Sequence, residues 1–225
     1  MKTAALWLGL VALGMQTAAP QSSGVARKLR VGDSARYVVR VELERGETVT
    51  SVESRVVETV EKVEDDGTAT VRTKYLSVKF GSVAGGTRPD DVTVFGPDGA
   101  VLSVAGNDAN ALRIARALAV PASLSSGGSW TFEQRPVSQP PAPLGRTACV
   151  MDGSEELSGI PCARVRFEYR EGAESGEPLV AKGMFWLALD GGRLVKLEAE
   201  LAGLPGIPGK DSKARVTVEQ EPQGR

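Results

Sequence analysis

Few side chains in this sequence can do chemistry: two cysteines, Cys149 and Cys162, three adjacent acidic pairs, Asp65-Asp66, Asp90-Asp91 and Glu155-Glu156, and scattered serines. No histidine occurs in the 225 residues, which excludes Ser-His-Asp and Cys-His nucleophilic catalysis and any His-ligated metal centre. Paired carboxylates act as acid and base in glycoside hydrolysis, or bind calcium. Each pair here stands beside a predicted turn, where solvation and local hydrogen bonding favour acidic residues in any case. The Asp-x-Asp-x-Asp-Gly order of a calcium loop is absent. The Gly81–Gly86 stretch lacks Lys-Ser or Lys-Thr and does not join a strand to a helix, so it is no phosphate loop. Ser22-Ser23 and Ser125-Ser126 have no recognisable base. The expectation is a protein that is not an enzyme and uses neither metal nor cofactor.

Two cysteines in an exported chain ordinarily suggest a disulfide. If Ser158-Gly159 turns a hairpin, Cys149 falls opposite Glu168 and Cys162 opposite Glu155. The thiols are then six residues apart along the ladder, on the order of 20 Å at ~3.3 Å per residue, beyond the ~7 Å limit between bridged Cα atoms. A Cys149–Cys162 disulfide needs a wider loop centred near Glu155-Glu156. Pairing and two free thiols both stay open.

Aromatic side chains are the remaining candidates for a ligand surface. Trp130, Phe132, Phe185 and Trp186 form the candidate binding set, with Phe167 and Tyr169 nearby in the strand pattern. Side chains of this kind in strands are more often core than pocket. Phe185 and Trp186 are adjacent, so in a regular strand they point to opposite faces. One of them must leave the main core, which hints at a second buried surface.

The elements that must position these residues read as strands. Tyr37, Val39, Val41 and Leu43 alternate on one face; Ser51 to Val63 is rich in Val and Thr; Glu64-Asp65-Asp66-Gly67 supplies a turn into Ala69, Val71, Thr73 and Tyr75. A second hairpin turns at Gly96-Pro97-Asp98-Gly99 and a third at Asp190-Gly191-Gly192. Pro161, Ala163, Val165, Phe167 and Tyr169 share a face opposite Cys162, Arg164, Arg166 and Glu168. One helix is predicted over 107–120, capped by Asn107 and Asp108, with Arg113 and Arg116 towards its polar side and Pro121 as its stop. The Pro-rich 136–144 stretch reads as an edge excursion or loop. Loops 81–89 and 203–211 are interrupted by Gly and Pro.

The order of signals runs twice. A shift of 92 residues places Gly67 on Gly159, Tyr75 on Phe167 and Asp98-Gly99 on Asp190-Gly191. The expected organisation is a signal peptide over 1–19, a flexible lead over 20–28, and one β-rich domain over 29–220. That domain consists of two repeat units, about 29–105 and 124–200, joined by helix 107–120, and 221–225 is a frayed tail. The fold class expected is mainly β: a curved antiparallel sheet or partly open barrel built from two similar hairpin units with one connecting helix.

Met1-Lys2, the apolar run from Ala4 to Leu13 and the small residues ending at Ala18-Ala19 have the order of a secretory signal peptide. The run is shorter than the roughly 20 residues of a membrane span, and no later segment is apolar enough to cross after signal removal. With 27 basic and 28 acidic residues, the net charge of -1 and the lack of a basic cluster argue against nucleic acid. A composition of 41% hydrophobic residues suits one globular domain.

The Gly32-Asp33-Ser34 and Gly127-Gly128-Ser129-Trp130 openings, the Ser158 to Val165 stretch Ser-Gly-Ile-Pro-Cys-Ala-Arg-Val and the single mid-chain helix resemble uncharacterised exported bacterial β-rich proteins. More distantly the pattern is similar to the periplasmic lipoprotein-carrier (LolA/LolB-like) architecture, a curved sheet over helices that shelters acyl chains. The resemblance implies a periplasmic or extracellular binding protein and carries over no functional residue. The functional expectation is an exported, non-enzymatic cell-envelope protein whose partner is an apolar or acylated ligand. The alternative is a structural or protein-interaction module with a solid core and no ligand cavity.

Overall fold

The computed structural model describes residues 25–105, 108–124, 128–138, 141–172, 178–206 and 212–222. The expected signal peptide, the lead before Val25, Asn107, Gly127 and the end of the tail lie outside them.

Alternation of β-branched and aromatic residues with polar ones yields strands throughout. These are β1 (Ser34–Arg45), β2 (Thr48–Val63), β3 (Ala69–Phe80), β4 (Val83–Ala84), β5 (Asp91–Phe95) and β6 (Val101–Val104), then helix α1 (Ala109–Ala117). After it come β7 (Ser129–Gln134), β8 (Val137–Ser138), β9 (Pro141–Ala142), β10 (Gly145–Leu157), β11 (Ile160–Glu171), β12 (Val180–Ala188), β13 (Leu194–Ala202) and β14 (Lys213–Gln220). Eleven of them form one antiparallel path, β6-β5-β3-β2-β1-β14-β13-β12-β11-β10-β7, with β4 paired to β3. Adding 92 to the positions of β1, β2, β3, β5 and β6 lands within or beside β7, β10, β11, β12 and β13, and each set of five is a meander in that order. Strand β14 joins the two sets by pairing with both β1 and β13.

The two ends of the path meet at a polar seam beneath α1. The Val101 N–H of β6 donates to Gln134 Oε1 of β7 at 3.0 Å. Arg116 Nη2 donates to the carbonyls of Gln134 and Arg135 at 2.6 and 2.7 Å, and the Gln134 amide donates back to the Arg116 carbonyl. The result is the expected mainly-β architecture, an antiparallel, nearly closed barrel-like sheet with one short helix. Arg116, expected on the polar side of that helix, is instead only 1% exposed, because the unpaired edge carbonyls of β7 draw its guanidinium inward. The helix is also shorter than 107–120: Asp108 caps it by accepting from the Asn110 and Ala111 N–H groups, and it ends at Leu118. The Pro-rich stretch forms a separate two-stranded sheet, β8 with β9, off the main path.

Inside, the second set of strands is packed solid. β11 buries Ala163, Val165, Phe167, Tyr169 and Glu171 in alternation, and the first four meet Phe185, Leu187, Leu197, Leu201 and Val216 in the largest cluster. Gly99 shows how tightly the chain leaving α1 approaches: its φ is +91°, and a Cβ there would lie 2.7 Å from the Val120 oxygen and the Ala122 nitrogen.

Candidate functional site

The segment before β1 closes one end of the barrel. Its extended backbone finds partners on both sides: Leu124 N–H donates to the Val25 carbonyl at 2.7 Å, Arg27 N–H to Ala122 at 2.7 Å and Lys28 N–H to Gly191 at 3.2 Å. Residues 25–28, expected to be part of a flexible lead, are therefore pinned, because satisfying those backbone groups outweighs the freedom of a short polar segment. Gly192 permits this crossing: its φ is +66°, and a Cβ there would lie 2.8 Å from the Ala26 oxygen. Reciprocal bonds between Gly32 or Asp33 and Val60, both 2.9 Å, then dock the chain onto β2.

Between this segment, the start of β1, the end of β2 and the β12–β13 turn lies a cleft of about 450 Å³. Ala35, Val60 and Val71 supply apolar surface to it, and Tyr37, Glu58 and Arg193 bring polar groups. Tyr37 is 4% exposed and donates its hydroxyl to the Leu194 carbonyl at 3.2 Å across the end of β14. Burial raises the Tyr37 pKa, the charge of Glu58 adds to the rise, and Arg27 and Arg193 oppose it. Burial likewise raises the Glu58 carboxyl above its ordinary value, with Arg27 as the opposing influence.

The cleft gathers unpaired charge of both signs. Among the described residues, Arg27, Lys28, Arg30 and Arg193 have no carboxylate within 4 Å, and the Glu58 carboxylate accepts no hydrogen bond. Arg27 instead lies over the Phe95 ring, 5.6 Å from its centroid. Elsewhere on the barrel some cations are paired, Arg40 with Glu53 and Glu219, Arg113 with the buried Glu171 and Arg166 with Asp152, and others, such as Arg36, Lys74 and Lys213, are not.

The aromatic set read from the sequence is dispersed. Phe185 lies in the main cluster, its ring centroid 5.8 Å from that of Phe167, and Trp130 packs at the edge of that cluster. Phe132 belongs to the cluster under α1 with Leu112 and Val101. Trp186 points to the other face, packing with Cys162, Ala188 and Val195, where its indole donates to Glu155 and Lys196 Nζ stands 5.3 Å from its ring centroid. None of the four lines the end cleft. The Cys149–Cys162 pairing left open by the sequence does not form, and both thiols are free and buried. Cys162 does fall opposite Glu155, but a bulge between Met151 and Gly153 moves Cys149 opposite Phe167. Cys149 faces the main cluster and Cys162 the Trp186 side.

The acidic pairs serve turns and ion pairs. Asp66 accepts the Thr68 N–H at 2.8 Å, which lowers its pKa, and Asp91 accepts from Tyr75 and pairs with Arg88 at 3.0 Å. Among the described residues, no group of three or more Cys, Asp or Glu side chains is arranged to hold a metal ion. No helix among them is long and apolar enough to cross a membrane.

No family profile matches the chain, and no curated protein matches it. Among solved structures it is similar to a protein from Bacteroides fragilis described as exported, with a YMCC-like fold, at 12% identity over 89% of this chain and 100% of that one, with a TM-score of 0.32. It is also similar to a DUF1329 family protein from Desulfovibrio piger, at 12% identity over 84% of each chain, with a TM-score of 0.28.

Proposed function

We propose that this is an exported, non-enzymatic protein of the bacterial cell envelope that binds a ligand in the cleft at the Tyr37 end of its barrel. The observation carrying this reading is the cleft itself, a recess of about 450 Å³ whose cations and half-buried carboxylate lack partners among the described residues. Polar and charged groups converging on apolar surface in one recess are what a binding pocket offers a ligand. The signal-like start from Lys2 to Ala19 supports export. A ligand with an apolar or acyl part would rest that part on Ala35, Val60 and Val71. The test is native mass spectrometry of the protein recovered from its own exporting cells. A small molecule should be retained by the parent and lost by a folded Ala35→Phe variant, whose ring fills the cleft. Retention by both, or by neither, contradicts the reading.

A second reading, an interaction module with a solid core, draws on the far end of β3. There Leu76, Phe80 and Val83 are 50%, 54% and 67% exposed, and exposed apolar groups gathered in one place mark contact surfaces. Concentration-dependent association in sedimentation, abolished by Phe80→Ser, would favour it.

A further inference from the structure

Resting on the cleft reading above, we propose that the cleft is built for an oxyanion, a phosphate or carboxylate group carried by the ligand, gripped between Arg27 and Arg193 over the Tyr37 ring. Four cations border the cleft, Arg27, Lys28, Arg30 and Arg193, and among the described residues none is matched by a carboxylate within 4 Å. The acidic groups of the same lining do not neutralise them. Asp33 spends one oxygen on the Arg30 N–H at 2.9 Å, the Glu58 carboxylate accepts no hydrogen bond among the described residues, and Asp33, Glu58 and Asp190 form no ion pair with the four cations. Arg27 and Arg193 enter from different parts of the chain, one from the segment before β1 and one from the β12–β13 turn. Both act on the same buried phenol, lowering its pKa against the effect of burial. The backbone that carries them is braced, through the Arg27 N–H bond to Ala122 and the Lys28 N–H bond to Gly191, so both side chains leave from segments tied in place at the mouth of the cleft. Guanidinium forks match the planar or tetrahedral oxygens of carboxylate and phosphate. Glu58, beside them, suits a hydroxyl or amine on the same ligand as a hydrogen-bond donor.

Isothermal titration of the full chain at constant ionic strength, with inorganic phosphate in one arm and acetate in the other, separates the two oxyanion sources. At least one should bind the parent, at least tenfold more weakly to Arg27→Gln/Arg193→Gln, and unchanged to Arg215→Gln, which alters an ion-paired cation on the outer face. Arg193→Gln alone should weaken it severalfold and serves if the double variant fails to fold. Glu58→Gln should tighten it, an effect that a purely structural role for Glu58 would not give. Equal binding by parent and double variant overturns the proposal, as does binding of neither anion to the parent. If neither anion binds while Ala35→Phe still strips the co-purifying molecule, the ligand class is wrong and the cleft reading stands. If that molecule is also absent, both fall.

Discussion

Arg116 and Gln134 hold each other through two hydrogen bonds of opposite direction: the guanidinium donates to the Gln134 carbonyl, and the Gln134 amide donates to the Arg116 carbonyl. Because Gln134 also accepts from the Val101 N–H, one side chain ties the helix and both edge strands together. Sheet edges left unpaired are sites of misassociation, and here a buried amide does the closing that strand pairing does elsewhere.

Gln134→Ala should therefore leave the Val101 N–H buried without a partner, at about 1–3 kcal/mol, whereas the Arg116 carbonyl keeps the Ala119 N–H at 3.3 Å. Urea denaturation should show a loss of about 1–3 kcal/mol. By contrast Glu133→Ala, which removes only an exposed ion pair with Arg146, should cost no more than about 1 kcal/mol. Equal losses for the two variants would contradict the seam.

Much of this barrel is legible in the sequence, because alternation and turn residues are local signals. The Ser158-Gly159 turn was readable since both residues adopt positive φ, 51° and 81°, in a two-residue hairpin. The bulge between Met151 and Gly153 carries one signal, Gly153 at φ +128° inside a strand, and it moves Cys149 by one position. Arg116 was misplaced because helical periodicity knows nothing of the carbonyls of a strand edge nearby. The end cleft is hidden for a different reason. Glu58 shares its strand parity with Val56 and Val60, which puts a carboxylate on an apolar face, but Arg27 and Arg193 join it only through the tertiary crossing.

The cysteine prediction follows from burial. The Cys149 thiol is pushed up to about 12 by desolvation, and that of Cys162 is also raised, mainly by burial. Only thiolate reacts with iodoacetamide, so at pH 8 both cysteines should resist alkylation in the folded protein and both should react in urea without prior reduction. Alkylation that requires a reductant would show a disulfide.

Glu58 gives a pH dependence of defined sign. Its carboxyl is raised in the folded state by burial, with Arg27 opposing, so the folded protein binds that proton more tightly than the unfolded chain does. The associated stability is full below the ordinary carboxylate range and is lost as pH rises through the raised value. Glu58→Gln should stabilise the protein at pH 7 and leave its stability almost unchanged at pH 3 in matched urea titrations. A variant less stable than the parent at pH 7 contradicts this.

Trp186 separates core from site. Its ring packs on the face opposite the main cluster, away from the end cleft. Trp186→Ala should cost about 3–5 kcal/mol in stability, while ligand retention by the folded fraction should equal that of the parent. Loss of ligand from a folded variant would return the binding surface to the aromatic set.

The most direct measurement is an amide chemical-shift map of the isotopically labelled full chain as inorganic phosphate is added at constant ionic strength. Shifts should concentrate on the segment around Arg27, on Tyr37 and Glu58, and on the turn at Arg193, with Phe185 and Trp186 unmoved. Shifts centred on Phe185, Trp186 or the outer face, or none anywhere, would contradict the assignment of the cleft as an oxyanion site.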